Sequence, residues 1–317
     1  MNNFIKIIYK ISFLFLLISC QKDDKRVEIP CCSPLPENEI KLQATQQTVM
    51  IIGKGKGTGF IIGQDGYKHY VLTSKHVVGF EPAQDVTLPP DLSDEEKKLF
   101  TDPHEDPYKV VAYDGKQFQE YVINYKEVKK DSKLDLAIIQ FDSQSQGKKY
   151  PIARLAALPV SKNQNVYIYG FKDCDENSRK RREEFNKGKI LSDDKNFSKD
   201  DSYTLEYTNP TILGMSGSPV YDVAGRIIAI HGKPGKPFRE KKQYVFRECP
   251  PLTSYYGKNK GISIKTFKNS ELAKNLPFKL AFEEKAVDTA ALQNTKNNNK
   301  LLNNTPNGEI RFKKYNK

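Results

Sequence analysis

From about Gln43 to Phe267 the chain runs in short apolar stretches, often alternating with polar residues, that stop at Gly, Asp or Asn. "HYVLTSKHVVGF", "YKVVAYDGKQFQEYVINYKEV", "LDLAIIQFD", "NVYIYGF", "SYTLEY" and "KGISIKTF" are typical. Val, Ile, Tyr, Phe and Thr suit a pleated, half-buried surface, so this pattern predicts many short β-strands. Helical periodicity is weak except in "SDEEKKLF", where Ser93 and Glu96 have the spacing of a capping box. Strands at such spacing favour a sandwich or barrels, and about 230 residues suit two small barrels better than one. The polar segment "SQSQGKKYP" (Ser143 to Pro151) divides them, giving barrels over about 43–145 and 151–270 of a domain spanning 43–270. The Gly-rich "GKGKGTGF" lacks Walker spacing and leads into an apolar strand rather than a helix, so it reads as a hairpin turn.

Both ends of the chain depart from this pattern. Lys6 and Lys10 precede "ISFLFLLIS", which is too short to span a bilayer comfortably and reads as a signal peptide. It ends in "LISC", which resembles the lipobox of bacterial lipoproteins, with Leu17, Ser19 and Cys20 at the matching positions. That resemblance implies removal of residues 1–19, a lipid on Cys20, membrane attachment and an extracytoplasmic domain behind a leader at 20–42. A plain secretory signal or an uncleaved anchor is the alternative. Residues 271–317 form an Asn- and Lys-rich tail, expected to be mostly disordered.

Composition changes the picture little. The net charge of +12 is spread among 51 basic and 39 acidic residues, and the densest basic run, "RKRREE", ends in two acids. No nucleic-acid-binding motif accompanies it, so it reads as a solvated surface and no nucleic-acid partner is expected. Beyond Cys20, Cys31, Cys32, Cys174 and Cys249 permit two disulfides in an oxidising compartment, with connectivity open. No spacing supports a metal site, and "DPHED" around His104 reads as a solvated loop; no cofactor is expected.

The candidate chemistry lies in three places. His76 follows an apolar strand in "YVLTSKHVV", Asp135 opens the apolar run "LDLAII", and Ser216 sits in "GMSGSPV". Taken alone, Gly-Met-Ser-Gly-Ser is as good a turn as a nucleophile loop. A carboxylate beside a buried strand, however, is costly unless paired. The order His, Asp, Ser is that of one known triad type, in which imidazole activates the serine and aspartate fixes the imidazole tautomer. Gly214 and Ser216 could then donate backbone N–H groups to an oxyanion.

With "GTGFII" and "GRIIAIHG", these motifs resemble the trypsin-like serine peptidases of bacteria. The resemblance implies an all-β fold of two packed antiparallel six-stranded barrels, with His76, Asp135 and Ser216 as base, orienting carboxylate and nucleophile. It also implies polypeptide substrates cleaved through an acyl-enzyme. Met215 departs from the family, where Asn or Asp usually precedes the nucleophile. A lipidated Cys20 would leave no free Ile or Val amine to insert beside the serine, which favours a site formed without activation cleavage. Thr211 and His231, five residues before and fifteen after Ser216, match pocket positions of staphylococcal-type glutamyl endopeptidases. That similarity implies an acidic P1 preference. The contrasting function is a noncatalytic lipoprotein that keeps the barrels as a peptide-binding scaffold, with Met215 as its foothold.

Overall fold

The computed structural model describes residues 33–53, 55–79, 108–172, 182–192, 202–233 and 258–287. Cys20 and the other four cysteines, the Ser93–Phe100 stretch, His104 and residues 288–317 lie outside the described residues.

Helix α1 (Glu37–Gln47) opens the described fold, with Glu37 and Glu39 in its first turn, where acidic groups complement the helix dipole. Its Ile40 and Ala44, one turn apart, are fully buried. The first sheet then forms from β1 (Thr48–Gly53), β2 (Gly57–Asp65), β3 (Lys68–Thr73), β4 (Tyr108–Tyr113), β5 (Phe118–Val122), β6 (Lys129–Lys130) and β7 (Ala137–Asp142). Its order is β5-β4-β1-β2-β3-β7-β6, and every pairing is antiparallel. The sheet curls until Tyr121 of β5 packs on Phe141 of β7, with ring centroids 4.8 Å apart. Among the described residues it has seven strands rather than the expected six, the two-residue β6 being added beside β7.

The second sheet comprises β8 (Leu155–Ala156), β9 (Asn165–Lys172), β10 (Arg182–Ser192), β11 (Leu205–Tyr207), β12 (Pro219–Tyr221), β13 (Ile227–Lys233), β14 (Asn259–Ser263) and β15 (Phe282–Glu283). Six of them close into an antiparallel barrel through β12-β9-β10-β11-β14-β13, with β13 pairing back to β12. β8 and β15 extend it in parallel, Phe282 standing opposite Leu155. The fold is therefore the all-β double barrel.

Strand alternation explains how the barrels pack. Ile61, Val71 and Ile139 fill the first barrel, whereas their neighbours Phe60, Ile62, Tyr70, Leu72 and Ile138 belong to a separate apolar layer. On the second barrel, Val166 and Ile168 point inward and Tyr167 and Tyr169 join that shared layer. Both faces of these strands are thus buried. Each such side chain contributes roughly 1.5–3 kcal/mol by leaving water.

Two boundaries differ from the sequence expectation. α1 begins inside the segment read as leader, because Ile40 and Ala44 join the shared layer and Leu35 donates its N–H to the Val223 carbonyl at 2.8 Å. At the other end, α2 (Ile264–Lys268) and α3 (Glu271–Lys274) follow β14, capped by the hydroxyls of Ser263 and Ser270. Order then continues past 270 to β15, where Glu283 binds the Arg154 guanidinium at 2.7 Å. The first part of the segment read as a tail thus holds helix α3 and a strand of the second sheet.

Candidate active site

His76 lies on a 3-10 turn (Lys75–Val77) just after β3, with its side chain about half exposed. Asp135 lies in the turn leading into β7. The Asp131 carboxylate shapes that turn by accepting the N–H groups of Lys133 and Leu134, both at 2.9 Å. Lys75 ties the two segments together by donating from Nζ to the Asp131 carbonyl at 2.8 Å.

The Asp135 carboxylate accepts twice from His76. The backbone N–H reaches Oδ1 at 2.9 Å and ring Nδ1 reaches Oδ2 at 2.7 Å. An ionised carboxylate only accepts, so Nδ1 carries the proton and neutral imidazole has Nε2 as its acceptor. Oδ2 also accepts from the Tyr203 hydroxyl at 2.6 Å. Burial pushes the Asp135 carboxyl up. The hydrogen bond and charge of His76, followed by the Tyr203 bond and the His76 backbone bond, outweigh it and hold the group below its ordinary value.

Ser216 lies between β11 and β12 in a loop stitched to both barrels. The Thr58 N–H donates to the Ser216 carbonyl at 2.7 Å, and the Thr58 hydroxyl donates to the Gly214 carbonyl at 2.9 Å. Gly217 has φ +84°, and a Cβ there would lie 1.9 Å from the Thr58 carbonyl oxygen, so only glycine lets the loop approach β2 so closely. Gly214 also has positive φ, +86°. Met215 is fully buried among the inner residues of the second barrel, and its N–H donates to the Ile212 carbonyl at 3.1 Å. An apolar anchor thus stands where a polar residue is usual in the resembling family.

One carbonyl joins the histidine and serine segments. The His231 oxygen accepts from Ser74 Oγ at 3.1 Å and from the Gly217 N–H at 2.7 Å. Ser74 is two residues before His76 and Gly217 one after Ser216. Among the described residues, no hydrogen bond joins Ser216 Oγ to the His76 ring, an interaction that often tightens only when substrate binds.

The His231 side chain is buried, and its Nδ1 meets the Tyr207 hydroxyl at 2.6 Å. Burial, reinforced by the charge of His76 and opposed by the Lys260 carbonyl, pushes its pKa down to about 3. Thr211 is 1% exposed, and its hydroxyl oxygen has no hydrogen-bond partner. Among the described residues, no hydrogen bond joins Thr211 to His231. Among the described residues, no group of three or more His, Cys, Asp or Glu stands close enough to hold a metal ion.

Sequence reasoning missed Thr58, Ser74, Tyr203 and Tyr207. Thr58 lay inside a quoted motif, "GTGF", but nothing in that string marks its hydroxyl as a bridge between barrels. Tyr203 and Tyr207 both occur in "SYTLEY", which reads only as a strand.

A family model described as a trypsin-like peptidase domain matches residues 57–230, more than half of the chain. The match includes His76, Asp135 and Ser216 and stops one residue before His231. No curated protein matches the chain in sequence. Among solved structures, Deg5 aligns at TM-score 0.48 and 17% identity, over 74% of this chain and 93% of its own. Rv3671c from M. tuberculosis H37Rv, solved as an inactive serine-to-alanine mutant, aligns at TM-score 0.47 and 17% identity. That alignment covers 79% of this chain and 99% of the other.

Proposed function

This chain belongs to the trypsin-like peptidase family, and on that premise we propose that it is a serine endopeptidase working through His76, Asp135 and Ser216. Ser216 Oγ attacks the scissile carbonyl carbon while His76 Nε2 takes its proton. The Gly214 and Ser216 N–H groups stabilise the oxyanion. The imidazolium protonates the departing amine, leaving an acyl ester on Ser216. Water, deprotonated by the same imidazole, then releases the carboxylic acid and restores the serine. The observation that carries this reading is the two-point hold of Asp135 on His76, at 2.9 and 2.7 Å, which fixes the tautomer that accepts from a serine.

The pocket reading favours a P1 carboxylate. With the Tyr207 hydroxyl as donor to His231 Nδ1, 2.6 Å away, the ring proton sits on Nε2, where a P1 carboxylate can accept it. The unpartnered Thr211 hydroxyl is a second donor. Burial keeps His231 neutral, so a P1 carboxylate is also the countercharge an imidazolium there would need. At the N-terminus, cleavage after Ser19 and lipidation of Cys20 would tether the peptidase to a membrane on its extracytoplasmic side.

The test uses the full chain in detergent. A fluorophosphonate should label it, and Ser216→Ala should abolish the labelling. A P1 peptide library should show cleavage after Glu or Asp. A folded wild type that neither labels nor cleaves overturns the peptidase reading. Cleavage after small or apolar residues overturns only the pocket assignment.

A further inference from the structure

We propose that Tyr203 is a positioning residue of the reaction, its hydroxyl fixing the Asp135 carboxylate from the opposite barrel. This rests on the reading of His76, Asp135 and Ser216 given above. Asp135 lies in the turn leading into β7 of the first sheet, and Tyr203 in the segment just before β11 of the second. Both bonds from His76 come from Asp135's own barrel, so neither stops the imidazole and carboxylate from shifting together relative to Ser216. The Tyr203 bond to Oδ2, at 2.6 Å, links the pair to the barrel that carries the nucleophile. A short bond from a neutral hydroxyl to a carboxylate is among the stronger hydrogen bonds, and Asp135 is only 16% exposed.

The phenol fits because the chain leaves room for it. A Cβ on Gly232 would fall 2.3 Å from Tyr203 Cε1 and 2.9 Å from its hydroxyl oxygen. Any side chain at 232 would push the ring off the aspartate. Lys233 lies over the ring face, 5.8 Å from its centroid, and Tyr203 is itself buried. Tyr203 and Gly232 therefore form a matched pair, one supplying the hydroxyl and the other the space. A Cβ at 232 would lie 2.9 Å from the Tyr203 hydroxyl oxygen, so a serine hydroxyl there can take up the place of the phenol once the ring is gone.

The experiment measures kcat and KM on the full chain in detergent, per active site titrated with a fluorophosphonate. Tyr203→Phe keeps the ring and removes the hydroxyl. The expected result is a fall in kcat of about tenfold with KM unchanged, the size of one hydrogen bond to a charged group. A merely structural tyrosine would lower the melting temperature while each titrated site kept its kcat. A second comparison isolates the hydroxyl. Tyr203→Ala with Gly232→Ser should recover kcat several-fold over Tyr203→Ala with Gly232→Ala. Wild-type kcat in Tyr203→Phe overturns the positioning role while leaving the triad intact. Equal kcat in the two double variants does the same. A wild type that does not label overturns the triad and this role with it.

Discussion

Thr58 and Ser216 face each other across the two barrels, joined by a 2.7 Å hydrogen bond from the Thr58 N–H to the serine carbonyl. The Thr58 hydroxyl adds a second hold by donating to the Gly214 carbonyl and accepting from the Phe171 N–H at 3.1 Å. The first barrel thus helps to set the backbone of the proposed oxyanion site. Thr58→Val keeps the shape and removes both hydroxyl bonds. It should cost about 2 kcal/mol of stability and lower kcat by about tenfold, read from denaturant midpoints and steady-state kinetics. Unchanged kcat would show that the loop holds its geometry without this bridge.

Asp135→Asn should leave the fold in place and reduce kcat on the order of 10⁴-fold. An amide can donate to Nδ1, which favours the tautomer that cannot accept from Ser216. The carboxyl lies below its ordinary value in the folded protein, so its stabilising contribution is complete above about pH 3.9 and fades as pH falls through the folded value. The stability gap between wild type and Asp135→Asn should narrow only in that acid range. A gap that closes nearer neutrality would contradict the assignment.

His231 should make the protein acid-sensitive from a higher pH. The unfolded chain protonates this histidine near pH 6.5, whereas the folded site refuses the proton until about pH 3. Stability therefore declines as pH drops through that window, by up to about 1.4 kcal/mol per pH unit for one such group. His69, fully buried and also shifted down by burial, acts in the same direction. His231→Gln should lose less stability than wild type between pH 7 and 4.5 in urea titrations. Equal losses would mean that the ring is hydrated in solution.

Thr211→Val separates stability from specificity. The hydroxyl is buried without a partner, so its removal should leave the melting temperature unchanged or raise it. The same change should cut kcat/KM for Glu at P1 by about tenfold relative to Ala at P1. A large drop in melting temperature would instead mark the hydroxyl as a structural hydrogen bond.

Cys20→Ala should prevent lipidation and signal removal, and leave the unprocessed precursor without its lipid. Metabolic labelling with a palmitate analogue and intact-protein mass spectrometry read this directly. An intact Met1 or cleavage at another residue in the unaltered chain would refute the lipoprotein reading.

The sequence by itself determined the strand-rich class and the order of His76, Asp135 and Ser216. These are local facts, since β-branched runs ended by Gly or Asp declare a strand wherever it finally packs. The same locality explains the boundary errors. The short apolar pattern of Ile40 and Ala44 makes a helix only because the shared layer receives it. β15 is two residues that become a strand only beside Leu155. Met215, an outlier in its motif, proved to be a core anchor because the loop dips into the second barrel. Tertiary structure alone decided the contacts between segments distant in sequence. The bonds of Thr58 to Gly214 and Tyr203 to Asp135 span 156 and 68 residues. No periodicity encodes them, because each depends on how the curled first sheet and the closed second barrel meet. A hydroxyl's partner is chosen by that meeting and not by its neighbours in the chain.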